Sequence, residues 1–145
     1  MIPQTDRPTV LVFGSPDFEP DALPLKILPR LKERLPEIDF VAVDPNEEWD
    51  IAGDITVIDT AINLTEPRIF DSLDAFEAAP RVSMHDFDAL ANLRLMQKLG
   101  KIDSVRVITL PPDTPPDDAL NFIDSALGES LMALETDWLE GLKGR

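Results

Sequence analysis

TVLVFGSPDFEPDALPLKILPRLKERLPEIDFVAV, residues 9–43, reads as strand, loop, helix and strand in succession. Thr9–Phe13 is a short, continuous apolar run bounded by Pro8 and Gly14. Runs of this kind belong to strands that helices cover on both faces, so no side chain alternates out to water. Leu23, Ile27, Leu31 and Leu35 then recur every four residues, with Leu28 widening the stripe, and a helix with one apolar face is expected over Ala22–Leu35. Pro24 suits its first turn. Pro29 removes one bond to the preceding turn, so a kink or a restart is expected there. Ile38–Val43 is a second strand, ended by Asp44-Pro45.

The same alternation continues along the chain. Ile55–Ile58 reads as a third strand, Val105–Leu110 as a late one, and Arg68–Phe70 as a short edge strand. A helix is expected over Met84–Leu99, with Ser83 as its cap, Asp86 three positions later and Gly100 at its end. A last helix follows Thr114-Pro115-Pro116, with Leu120, Ile123, Leu127, Leu131, Leu134 and Trp138 on one face. Residues 1–8 read as an N-terminal extension and 141–145 as a flexible tail. The expectation is a single α/β domain over residues 1–145: a three-layer sandwich around a doubly wound, mostly parallel twisted sheet of about five strands, with helices on both faces.

Composition narrows the function classes. The net charge of −15 repels phosphate, so nucleic acid and anionic membranes are poor partners. With no cysteine, disulfides, thiolate catalysis and Cys-based zinc sites are excluded. The N-terminus, MIPQTDRPTV, has no charged and then apolar stretch of the secretory kind, and no apolar run approaches the roughly 20 residues that span a bilayer. A soluble, cytoplasmic protein is expected, as a monomer or weak dimer.

Sheets of this class bind ligands beyond the carboxyl ends of their strands, near the switch in strand order. The segment leaving the first strand runs Gly14-Ser15-Pro16-Asp17-Phe18-Glu19-Pro20-Asp21, the third strand ends on Asp59-Thr60, and Met84-His85-Asp86 opens the expected second helix. Asp21, Asp59 and His85 are thereby directed to one end of the sheet. Two carboxylates and an imidazole suit a divalent metal of borderline hardness, such as nickel or zinc. A helix N-terminus would keep His85 neutral, the form that binds metal. Taken singly, each residue has a plainer role: a helix cap for His85, a turn former for Asp59, a helix-start charge for Asp21. Asp17 and Glu19 read as solvated loop charges, Trp49 as a sheet-edge or substrate contact, Trp138 as a core or oligomer contact, and Asp117-Asp118 as charges complementing a helix dipole. A serine-type triad would have to use His85, the sole histidine, and its neighbour Ser83 is not placed for attack.

The order of these segments resembles the hydrogenase maturation endopeptidases. That family follows its first strand with a loop of the form Gly-Asn-x-x-x-x-Asp-Asp/Glu and then a helix; VLVFGSPDFEPDALPL matches it, with Gly14 in the glycine place and Asp21 in that of the acidic ligand. The family's strand-end aspartate, in a pattern like IIADAI, corresponds to Asp59 in TVIDTAI, and its histidine to His85 in Val82-Ser83-Met84-His85-Asp86. VRVITLPPDTPPDDALNFIDSAL matches the late strand, Pro-containing loop and terminal helix, so the resemblance runs from Val10 to about Leu127. The departures are Ser15 for the usual Asn, Pro20 for the first Asp, Pro24 for a Gly, and VDPNEEWDI, residues 43–51, in place of a Gly-Gly-Thr loop linked to substrate selectivity.

The resemblance implies an endopeptidase that removes the C-terminal extension of a nickel–iron hydrogenase large-subunit precursor after nickel insertion. No tightly bound cofactor is implied, because nickel arrives with the substrate; Ni, Zn or Cd could occupy the site in a crystal. Asp21, Asp59 and His85 would be both the metal ligands and the catalytic set. A non-hydrolytic, metal-sensing assembly factor of hydrogenase maturation is the alternative that the altered first loop keeps open.

Overall fold

The computed structural model describes residues 8–13, 22–43, 51–62, 64–78, 83–84 and 87–128. Its elements, in chain order, are β1 (Thr9–Val12), α1 (Leu23–Arg34), β2 (Asp39–Ala42), β3 (Gly53–Ile62), β4 (Arg68–Phe70), α2 (Leu73–Ala78), β5 (Ser83–Met84), α3 (Phe87–Lys98) and β6 (Ile102–Leu110). A further helix, α4, is described over residues 116–128.

The strands lie in the order β2-β1-β3-β6-β4, with β5 paired to β3 off this path. β1, β2, β3 and β6 are mutually parallel, while β4 pairs antiparallel with β6 and β5 antiparallel with β3. The expected doubly wound, mostly parallel sheet is therefore observed. Its helices pack on both faces. Val10, Val12, Ile58, Ile108 and Leu110 meet Ile27 and Leu31 of α1 and Leu120 and Ile123 of α4 on one face. Leu11, Ile55, Val57, Val105 and Val107 meet Leu73 and Phe76 of α2 and Leu93 and Met96 of α3 on the other. Successive residues in the central parts of β1, β3 and β6 thus serve opposite cores, which is why Val10–Val12, Val57–Ile58 and Val107–Ile108 are apolar in unbroken runs.

Local chemistry explains most element boundaries. α1 carries Pro24 in its first turn and Lys32 and Arg34 in its last, where cations oppose the helix dipole. It also runs through Pro29 as one uninterrupted helix, so the expected restart does not occur. Pro29 lies on the exposed side, where its ring meets solvent and the buried stripe of Leu23, Ile27 and Leu31 holds the axis. Arg30 Nη2 bonds Asp117 Oδ1 at 2.7 Å, and Arg34 Nη1 donates to Asn121 Oδ1 at 3.2 Å, tying α1 to α4. Asp117 is therefore an ion-pair partner as well as a helix-start charge.

The second expected helix needs correction at its start. Ser83 and Met84 are strand residues, pairing with Ile62 and Ala61, and α3 begins at Phe87. Ser83 is not its cap. β3 outruns both neighbours, so its last residues recruit a short strand from the passing chain instead. The end of α3 is as expected. Gly100 adopts φ 78°, and the Lys101 amide reaches back to the Met96 carbonyl at 2.9 Å, the closing bond of a glycine-terminated helix. α2, six residues long, has no counterpart in the sequence reading. The distal part of the expected last helix, with Leu131, Leu134 and Trp138, lies outside the described residues, as do residues 1–7 and 141–145.

Candidate functional site

The chain moves from β1 to β2 on one side and then crosses to β3 on the other, so the strand order reverses between β1 and β3. Helices on opposite faces diverge at such a point and leave a crevice beyond the carboxyl ends. β1 stays paired with β3 through Val12 and Ile58, and the Phe13 amide closes the ladder on the Ile58 carbonyl at 2.9 Å. The next residue of β3 is Asp59.

Asp59 is 2% exposed, and the buried polar residues around it are Thr60 and Thr109. Strand alternation puts Asp59 on the same face as Val57, toward α2 and α3, and its register partner Thr109 continues the line of Val105 and Val107. The carboxylate is held locally: the Thr60 amide donates to Asp59 Oδ1 at 2.9 Å. Alternation directs this amide to the β1 side of β3, the side on which the Ile58 carbonyl has just closed the ladder. A backbone donor at the end of a ladder must be satisfied, and here a side-chain carboxylate does it. Thr109 serves the other neighbour, its hydroxyl donating to the Arg68 carbonyl of β4 at 2.8 Å. Neither threonine was singled out from sequence. Thr60 carried a local signal, as the amide following an aspartate at a strand end; Thr109 carried none, because its place opposite Asp59 arises from pairing across about 50 residues.

Asp21 and His85 lie outside the described residues. Their described chain neighbours are at the same end of the sheet. Ala22, which follows Asp21, is buried and accepts the Lys26 amide at 3.0 Å in the first turn of α1. Leu23 and Lys26 of that turn line a groove of about 220 Å³ with Pro112, Asp113, Thr114, Pro115 and Pro116, the segment leaving the carboxyl end of β6. Met84, which precedes His85, pairs with Ala61, two positions beyond Asp59. Among the described residues, Asp59 is thus the one candidate ligand placed, and no group of three His, Cys, Asp or Glu side chains gathers.

A buried carboxylate is costly unless the fold satisfies it or uses it. Anchored at a switch point, it supplies an oxygen donor suited to a divalent cation. Among the described residues, no helix is long and apolar enough to cross a membrane.

No protein-family model matches the sequence, and no curated protein matches it. Among solved structures, the chain is similar to the hydrogenase maturating endopeptidase HybD from E. coli, with a TM-score of 0.56. The match covers 85% of this chain and 93% of that one, at 15% sequence identity. The chain therefore shares the fold of that structure over most of its length.

Proposed function

We propose that this protein is an endopeptidase of hydrogenase maturation, removing the C-terminal extension of a nickel–iron hydrogenase large-subunit precursor once nickel has been inserted. The observation that carries this reading is the buried carboxylate of Asp59 at the end of β3, at the switch point of a fold shared with HybD. Asp21 and His85 complete the proposed ligand set from the segments that follow β1 and β5. The nickel belongs to the substrate. The three side chains would add protein donors to it while leaving positions for substrate atoms, which docks only a loaded precursor and sets its scissile bond.

The chain's own contribution is to bind and orient. Asp59 presents a negative donor whose rotamer the backbone has already fixed, so little side-chain freedom is lost on binding. The acidic chain, at −15, favours approach of a cationic centre. A monomer or weak dimer in the cytoplasm, acting without nucleic acid or membrane, is part of the same reading.

The test is incubation with a nickel-loaded large-subunit precursor, followed by mass spectrometry of its C-terminus. Loss of the tail with the wild-type protein, and its retention with Asp59→Ala or His85→Ala, supports the peptidase. Ser15 and Pro20 depart from the family loop and favour the second reading, a non-hydrolytic assembly factor. That factor would form a stable complex with the loaded precursor and leave the tail in place.

A further inference from the structure

We infer that the outer edge of β2 receives the client's C-terminal extension as an added strand, antiparallel to β2, with apolar side chains toward α1 and basic ones on the opposite face. The identity of that segment rests on the proposed function.

β2 ends the sheet on one side. The Asp39 amide donates to the Pro8 carbonyl at 2.9 Å and the Val43 amide to the Val12 carbonyl at 3.1 Å. Alternate residues of a parallel strand bond the same neighbour, so Asp39, Val41 and Val43 are turned to β1, and Phe40 and Ala42 outward. No described residue bonds the outward amides and carbonyls of Phe40 and Ala42. Val41 is 37% exposed, and Ala42 is exposed as well. An edge of this kind takes an extended peptide by main-chain pairing, while pockets select its alternate side chains. The opposite edge, β4, offers three residues behind Pro67.

Position, shape and charge choose the occupant. Ala42 is level with Val12 and Ile58, one residue short of Asp59. Two strand spacings, about 10 Å, separate β2 from β3. An extension lies C-terminal to the bond that is cut. Cut near Asp59, it leads away from the carboxyl end of the sheet, and so runs antiparallel to β2. Its residues opposite Phe40 and Ala42 share their face, that of α1, where Lys32, Pro36, Ile38, Asp39 and Phe40 line a groove of about 340 Å³. Apolar side chains suit this face. Residues opposite Asp39 and Val41 lie on the other. Glu37 and Asp39 are exposed, and Asp44, Glu47 and Glu48 follow β2 in sequence, so basic side chains are favoured there.

The experiment is ¹⁵N NMR of the full chain with a capped Val-Lys-Val-Lys-Val-Lys peptide. Saturable shifts centred on Phe40 and Ala42 are expected, with hydrogen exchange of both amides slowed at least about tenfold. N-methylation of the valines, whose amides would face β2, should abolish them; N-methylation of the lysines should not. A nitroxide at the peptide's carboxyl end should broaden Ile38 and Asp39 before Ala42 and Val43. Ala42→Pro removes an outward donor and no ladder bond. It should stay folded, lose the peptide, and process a nickel-loaded precursor with kcat/KM at least about tenfold lower. Binding indifferent to which amides are methylated, shifts centred elsewhere, or the reverse order of broadening would overturn the inference. So would protection of Phe40 and Ala42 that rises with protein concentration alone, which gives the edge to a second copy. Tail removal by Ala42→Pro at the wild-type rate would overturn it and leave the peptidase reading standing. Absence of tail removal by the wild type, with the edge occupied, would overturn the peptidase reading and with it the identity of the added strand.

Discussion

Asp59 and Thr109 are register partners on adjacent parallel strands, both buried, and each spends a polar bond on a different neighbour: Asp59 on the Thr60 amide, Thr109 on the Arg68 carbonyl. One secures the candidate ligand and the other secures the edge strand, so their substitutions should separate activity from stability.

Asp59→Asn should abolish tail removal and raise stability. It replaces a buried charge with a neutral isostere that still accepts from Thr60. A gain of about 1 kcal/mol, or about 2–5 °C in Tm, is expected, as is common when a functional charge is neutralised. Calorimetry of the variant beside the precursor assay checks it; a fall in Tm of similar size would show that the charge serves the fold.

Thr109→Val should do the reverse. The Arg68 carbonyl loses its 2.8 Å hydroxyl donor, at a cost of about 1–2 kcal/mol by denaturant unfolding. Precursor cleavage at a temperature where the variant is folded should stay near wild type.

Pro29→Ala should stabilise the protein. α1 passes through Pro29 with its apolar face buried, so alanine restores an amide that can bond the Leu25 carbonyl and removes a ring from a helix interior. A gain of about 1–3 kcal/mol is expected. An unchanged or lower midpoint in urea would mean that the proline's restriction of the unfolded chain offsets the regained bond.

Leu31→Ala should cost about 2–5 kcal/mol, because Leu31 is fully buried between α1 and the sheet. Arg30→Ala, which breaks the 2.7 Å contact to Asp117, should cost no more than about 1 kcal/mol, since both partners are largely exposed. Urea titrations of the two variants should therefore differ by at least about twofold in lost stability; parity would show that the α1–α4 bridge is cooperative with Arg34.

The legible parts of the fold were those whose signal is local. β1, Phe40–Ala42 of β2 and Val105–Leu110 of β6 are dense in apolar residues, and Arg68–Phe70 is legible as β4 in the same way. α1 was marked by its four-residue leucine spacing. α2 escaped because LDAFEA is too short to show a helical period, and its buried Leu73 and Phe76 gain their meaning only against β6 and α3. β5 was misread because Ser83 has the chemistry of a helix cap; its strand character comes from Ala61 and Ile62, about 20 positions earlier in the chain. Of the candidate site, Asp59 was legible because an acid ending an apolar strand is conspicuous. The groups that hold it and neighbour it depend on strand register, which sequence does not print.

β3 spans ten residues in the middle of the sheet and is joined on both sides. Its amides should be among the last in the molecule to exchange with solvent. A carboxylate mounted there has no freedom to search for its target. On the proposed function, any adaptation on docking would therefore fall to the client, and selectivity between loaded and empty clients would turn on whether their metal can come to a fixed point.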